Sequence, residues 1–178
     1  MEKNLALTGM MGVGKSTVGR ALSKRLLMQF SDIDTIIEKK LKMSIQKIFE
    51  TKGESFFRKF EEQTTLEEVK KKKIIISLGG GAFMNSKIRK NIILNSKTFW
   101  LDLNIELLEK RLIKSKQRPL LNDKNSKKTL KDIYEEITLK DIYEERKSTY
   151  AKANYRVKCD GLNLNLITSK IIKLYANN

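Results

Sequence analysis

Histidine is absent from the 178 residues, which excludes histidine general bases, Ser-His-Asp triads and His-ligated zinc. A single cysteine, Cys159, excludes an intramolecular disulfide and any CxxC redox or metal site, and a reducing, cytoplasmic setting fits it. No stretch approaches the 18 or so apolar residues of a membrane span, and the short apolar segment near Met1 meets glycines too soon for a signal sequence. What is present is ordinary for a folded domain. Hydrophobic residues make up 40% and charged residues 33%, enough for one core over residues 1–178, without a linker or a second core.

Acidic residues are scarce relative to basic ones. Lys+Arg number 37 against 21 Asp+Glu, a net charge of +16 and a pI near 9.8. Such a charge attracts polyanions. The excess is lysine, with only eight arginines, and it is spread along the chain; the tightest cluster, 70–73, sits beside Glu67 and Glu68. No arginine-rich arm or stacking aromatic motif accompanies it. The composition is read as a lysine-rich solvated surface with general attraction for anionic ligands, with no nucleic-acid or membrane partner.

Periodicity orders the elements. Residues 4–8 read as a buried strand, 9–14 as a glycine-rich turn, and Val18, Ala21, Leu22, Arg25 and Leu26 as one helix face. A short strand at 28–30 ends at Asp32-Ile33-Asp34, and two helical pieces follow around 36–41 and 45–49. A longer helix is expected over 54–73, its lysine run suiting the C-terminal dipole. Residues 74–78 form a β-branched strand cut off by three glycines, and 98–103 another strand followed by a helix with Leu107, Leu108, Arg111 and Leu112. The polar stretch 122–128 is expected to be a mobile loop, 155–158 the last strand and 166–175 the closing helix. Strands alternating with helices imply a mostly parallel sheet covered on both faces.

Gly9-Met10-Met11-Gly12-Val13-Gly14-Lys15-Ser16, followed by Thr17, satisfies G-x-x-x-x-G-K-[ST] between a predicted strand and a predicted helix. Small residues there let backbone N–H groups turn inward around phosphate oxygens, and the helix N-terminus adds its positive end. Lys15 is placed to reach the β/γ-phosphates and the Ser16 hydroxyl to ligate Mg²⁺. Asp32 and Asp34 follow the second strand at the sheet's carboxyl edge, where ligands collect. Strand alternation puts them on one side, one carboxylate toward the metal and the other toward an acceptor hydroxyl. The competing structural role is a helix N-cap, for which Asp34 is the candidate.

With these residues in hand, the chain resembles shikimate kinases, a family of P-loop small-metabolite kinases related to nucleoside monophosphate kinases. The pieces that carry the resemblance run in order: the loop 9–17, Asp32-Ile33-Asp34, Gly53-Glu54-Ser55-Phe56-Phe57-Arg58, Ser77-Leu78-Gly79-Gly80-Gly81, Arg118-Pro119-Leu120-Leu121 and Arg146-x-x-x-Tyr150. It implies an α/β P-loop NTPase fold, a three-layer α/β/α sandwich with a central parallel sheet, a mobile lid near 113–131 and a substrate-binding helical segment. It also implies a monomer that phosphorylates a shikimate hydroxyl with ATP, in aromatic amino acid biosynthesis. Roles follow by position. Gly12, Val13, Gly14, Lys15, Ser16 and Thr17 bind ATP phosphates, with Arg111 on the adenine and Arg118 closing over the phosphates. Ser16 and Asp32 hold Mg²⁺, while Asp34, Arg58, Arg146, Gly79, Gly80 and Gly81 meet shikimate; Lys15, Asp34 and Arg118 are the catalytic set. The residues agree with this independently, since a carboxylated polyol calls for planar bidentate cations and close backbone approach. Gluconate or a nucleoside monophosphate as acceptor is the nearer alternative, and a P-loop nucleic-acid-binding protein the distant one.

The chain departs from the family pattern in three places. Leu27 stands where many members end the first helix on glycine, so a different cap is expected. The adenine loop lacks its usual proline, with 163–165 in that region and Pro119 the only proline. Residues 129–137 (TLKDIYEEI) and 138–146 (TLKDIYEER) form a direct repeat. Nine residues turn a helix two and a half times, so one straight helix would set the two apolar stripes on opposite faces. A kink or break near Thr138 is expected, or one copy left in the lid, with the second copy holding the family frame through Arg146 and Tyr150.

Overall fold

The computed structural model describes residues 3–114 and 138–177. Five strands, β1 (Asn4–Thr8), β2 (Gln29–Asp32), β3 (Ile74–Ser77), β4 (Ser96–Asp102) and β5 (Tyr155–Lys158), form one all-parallel sheet in the order β2-β3-β1-β4-β5. The β1 and β3 residues are all buried, as expected of strands covered on both faces. The helices are α1 (Lys15–Leu26), α2 (Ile33–Leu41), α3 (Ile45–Val69), α4 (Ser86–Asn95), α5 (Ile105–Lys114), α6 (Leu139–Tyr150) and α7 (Leu164–Ala176), with a 3₁₀ turn at Ala82–Met84. The connection through α1 runs outward from β1 to β2, whereas those through α3 and α4 run the other way across the sheet. With right-handed crossovers the two sets fall on opposite faces, α1 packing on α7 and α3 on α4. Among the described residues no helix is long and apolar enough to cross a membrane.

Parallel strands bring their carboxyl ends to one edge. Thr8, Asp32, Ser77 and Asp102 stand along it, and the phosphate loop, the start of α2, the glycines 79–81 and the turn into α5 follow them directly. The phosphate loop, Asp32, Asp34, the glycine run and the helix that carries Arg111 are thus tied to that edge.

Two local expectations are corrected. The long helix does not run through the lysines: it ends at Val69, with Lys70 as C-cap and 71–73 forming a turn. Asn4, at the start of β1, ends it there, its amide nitrogen donating to the carbonyls of Val69 (3.2 Å) and Lys71 (2.6 Å) while its oxygen accepts from Ile74 N. The expected start at Glu54 is met, because Gly53, with φ 78° and ψ 167°, is not helical and kinks α3 between its first turns from Ile45 and the longer helix that follows. Finally, Leu27 keeps the left-handed cap (φ 51°, ψ 43°) that its side chain disfavours by roughly 1–2 kcal/mol. The turn is held by Met28 N donating to Ser23 O (3.2 Å) and Ser23 Oγ donating to Met28 O (2.6 Å).

The expected break near Thr138 is present. Thr138 has extended backbone (φ −74°, ψ 159°) and caps α6 in a reciprocal box with Asp141. The first repeat copy, Arg118, Pro119 and the expected lid from residue 115 onward lie outside the described residues.

Candidate functional site

The phosphate loop begins where β1 ends and closes on α1. Gly14 is the α1 N-cap at φ 101° and offers no side chain to the first-turn N–H groups. Those donors are left for a ligand, which is what an anion site at a helix start needs. Gly12, Gly14, Lys15, Ser16 and Thr17 line a cavity of about 430 Å³, together with Met11, Arg20, Asp34, Ser77, Leu78, Gly80, Arg111 and Leu112. Val13 is buried beneath the loop rather than facing the cavity. Lys15 is not a surface lysine. It is buried, and its ammonium donates to the carbonyls of Gly9 (2.8 Å) and Met10 (2.9 Å), which holds it across the loop.

Asp32 and Asp34 divide differently from the strand-alternation expectation, because the strand stops at Asp32 and Asp34 already lies in the first turn of α2. The N-cap is Asp32, accepting from Thr35 N (3.3 Å); Asp34 is not the cap. The other Asp32 oxygen, Oδ2, accepts from Ser16 Oγ at 2.5 Å. A hydroxyl and a carboxylate paired beside the phosphate loop are hard oxygen donors that suit Mg²⁺. Among the described residues there is no cluster of three or more His, Cys, Asp or Glu able to hold a metal.

Asp34 faces the acceptor side. A Cβ built on Gly79 would lie 2.9 Å from Asp34 Oδ1 and would overlap Glu61 Oε1. Only a residue without a side chain lets both carboxylates approach there. One on Gly81 would lie 3.0 Å from both terminal nitrogens of Arg58, and one on Gly80 3.2 Å from Met11 N, so the glycine run passes between the arginine and the phosphate loop. Arg58, on α3, pairs with Glu61 (2.9 Å) and Glu54 (3.1 Å). Arg146, on α6, is half-buried, beside Tyr150 and close enough to Glu61 to stabilise its charge. Tyr150, fully buried, donates to Gly80 O at 2.5 Å and fixes the glycine run from above. Burial pushes its phenol up to about 12, with Arg146 opposing, so it remains a donor at neutral pH.

Glu61 escaped the sequence reading. Glu61 is 1% exposed, and its Oε1, the atom nearest Gly79, has no hydrogen-bond partner among the described residues. Burial raises its pKa above the ordinary glutamate value; Arg58 opposes this, Asp34 adds to it, and Arg146 opposes it in turn. The only local signal was its place three residues after Arg58, on the same helix face. Arg20, one turn into α1, was likewise unmarked. Arg111 lies exposed on α5 at the far wall of the phosphate cavity, in reach of Cys159 electrostatically.

A phosphate loop, an aspartate and a carboxylate-braced arginine thus surround one glycine run. The family model described as Shikimate kinase matches residues 11–176. The chain belongs to the shikimate kinase family. The shikimate kinase of Bacillus subtilis (strain 168) is 39% identical over 176 residues, covering 97% of this chain and 88% of that one. The shikimate kinase of Sulfurihydrogenibium sp. is 37% identical over 170 residues, covering 96% of each. The solved shikimate kinase of Acinetobacter baumannii in complex with shikimate superposes with a TM-score of 0.85 at 31% identity, over 97% of this chain and 92% of that one. A gluconokinase from Sinorhizobium meliloti superposes at 0.57 with 12% identity, a likeness of fold alone. The three-layer P-loop kinase fold read from the sequence is therefore the fold of this shikimate kinase family member.

Proposed function

We propose that this chain transfers the γ-phosphoryl group of ATP to a hydroxyl of shikimate, giving shikimate 3-phosphate and ADP, and that the residues gathered at the sheet edge divide the work as follows. The loop N–H groups and Lys15 hold the β/γ-phosphates, the ammonium exchanging its carbonyl contacts for phosphate oxygens. Ser16 and Asp32 would hold Mg²⁺, which would supply positive charge to offset that of the phosphates. Asp34 orients the acceptor hydroxyl and takes its proton, and the donors on the loop offset the charge of the reacting phosphoryl group.

The acceptor is gripped by charge and by shape. Arg58 and Arg146 present planar guanidinium groups to the shikimate carboxylate, and the glycines 79–81 form a floor on which a ring rests without side-chain hindrance. Glu61 fixes Arg58 and leaves Oε1 for a ring hydroxyl. Arg111 and Arg118 serve the nucleotide. The partners are two small molecules, and the protein acts as a monomer in the cytoplasm.

One observation carries this reading: Lys15 and Asp34 line the same cavity, and Asp34 and Glu61 meet at Gly79 on its acceptor side. Donor phosphate and acceptor hydroxyl are brought to one place. A coupled ADP-release assay with shikimate, gluconate and AMP in parallel tests it. Turnover with shikimate alone is the expected result, and equal or greater turnover with gluconate or AMP would overturn it.

A further inference from the structure

A second buried carboxylate stands on the same sheet edge, away from the cavity. Asp102 is the last residue of β4, 6% exposed, and accepts three hydrogen bonds: from Tyr143 OH on α6 (2.9 Å) and from Arg156 Nε (2.9 Å) and Nη2 (2.7 Å) on β5. A buried carboxylate costs several kcal/mol unless such partners meet it, so an isolated aspartate would not persist here. None of the three residues lines the phosphate cavity, and phosphate binding gives no reason for them.

The reason lies in α6. At 100° per residue, Tyr143, Arg146 and Tyr150 fall within about 60° of one another, on one face of the helix. Tyr143 and Tyr150 are seven residues apart, roughly 10.5 Å along the axis. Their acceptors, Asp102 at the end of β4 and Gly80 just beyond β3, belong to strands two places apart, a span of roughly 9.6 Å. The helix therefore lies across the carboxyl ends of β4, β1 and β3 with a phenol bond near each end. Arg146 sits between these two bonds. Its guanidinium is carried by a long flexible stem, and its reach is set by where the helix rests.

We propose that Asp102 is a positioning residue for the acceptor: by holding Tyr143, it seats α6 so that Arg146 meets the substrate carboxylate. Arg156, half exposed, neutralises Asp102 and fixes its carboxylate plane, leaving Oδ1 for the phenol. Burial and the neighbouring Asp102 push the Tyr143 phenol up to about 12, so the donor survives throughout the neutral range. This inference rests on the reading of Arg146 as a carboxylate-binding side chain, and the test separates the two.

Tyr143→Phe, Asp102→Asn, Asp102→Leu and Arg146→Ala are compared by steady-state kinetics with each substrate varied in turn. Tyr143→Phe removes one hydroxyl and keeps the ring, and is expected to raise KM for shikimate about 5- to 10-fold while KM for ATP stays within about 2-fold. Asp102→Asn keeps an oxygen acceptor for the phenol and is expected to retain most of the shikimate affinity, whereas Asp102→Leu loses it. A rise in both KM values together in Tyr143→Phe, or no rescue by asparagine relative to leucine, would reduce Asp102 to a fold staple and overturn the proposal. A raised shikimate KM in Arg146→Ala with an unmoved one in Tyr143→Phe overturns the Asp102 role alone. An unmoved shikimate KM in Arg146→Ala overturns the carboxylate reading of Arg146 and the Asp102 role with it.

Discussion

The two halves of the site are built by different means. The proposed phosphate half comes from one continuous stretch, β1 through the loop to the first turn of α1, and what it offers is mostly backbone N–H groups. The proposed acceptor half is assembled from α2, α3, the glycine run and α6, which are far apart in sequence, and what it offers is mostly charged side chains. Backbone donors are fixed as soon as strand and helix form. Side-chain charges must be braced by other charges, as Arg58 is by Glu54 and Glu61. The phosphate half is therefore robust and generic, and the acceptor half is adjustable and specific.

The largest effect that bears on this contrast is Lys15→Ala. Turnover is expected to fall on the order of 10³-fold or more, since a cation on the transferring group is lost. Because Lys15 is buried and bridges two loop carbonyls, a small drop in Tm should accompany it. Retained turnover would break the phosphate assignment outright. Next comes Asp34→Asn, expected to lower kcat on the order of 10²-fold with KM for ATP nearly unchanged. Collapse of ATP binding instead would place Asp34 with the metal and blur the boundary between the halves.

Arg58→Lys is expected to act on one half only. Loss of bidentate geometry should cost about 1.5–3 kcal/mol, seen as a KM for shikimate raised roughly tenfold or more against an unmoved KM for ATP. The smallest effect is expected from Glu61→Gln, and it is best read in pH. The Glu61 pKa is raised on folding, so the folded state binds the proton more tightly than the unfolded one. Wild-type stability should then fall as pH rises from the ordinary glutamate value through the raised one, and level off above it. The glutamine variant should lack that component of the slope, measured as Tm against pH; an identical slope in both would mean that Glu61 is not held at a raised pKa.

The same division explains what was readable in the sequence. The phosphate-loop motif, the Asp32-Ile33-Asp34 segment, the three glycines and the succession of strands along the chain were legible because each depends on local spacing and on backbone freedom. Glu61 was not, because nothing within α3 separates it from the glutamates on either side; its burial comes from Gly79 lying against it. The end of α3 was misplaced for the same reason. Its stop is an asparagine 65 residues earlier in the chain, which takes the carbonyls that the lysines would have continued from. The alternative of Asp34 as a helix cap missed by two residues, because α2 starts at Ile33, directly after the strand. Leu27 shows a limit of a different kind. A conformational preference of about 1 kcal/mol is easily outweighed by a pair of hydrogen bonds and the packing of the next strand.

Trp100 is the only tryptophan in the chain. Its ring stacks on Tyr150 with centroids 5.9 Å apart and carries the Arg156 guanidinium 4.6 Å above it. Those two contacts come from the helix that holds Arg146 and from the strand that braces Asp102. An indole in that position is an optical gauge already in place. Its ring also lies against the start of the phosphate loop, where a Cβ on Gly9 would fall 3.5 Å from Trp100 Cδ1. Its emission should therefore respond to both substrates with no label attached, and the protein can be titrated by its own light.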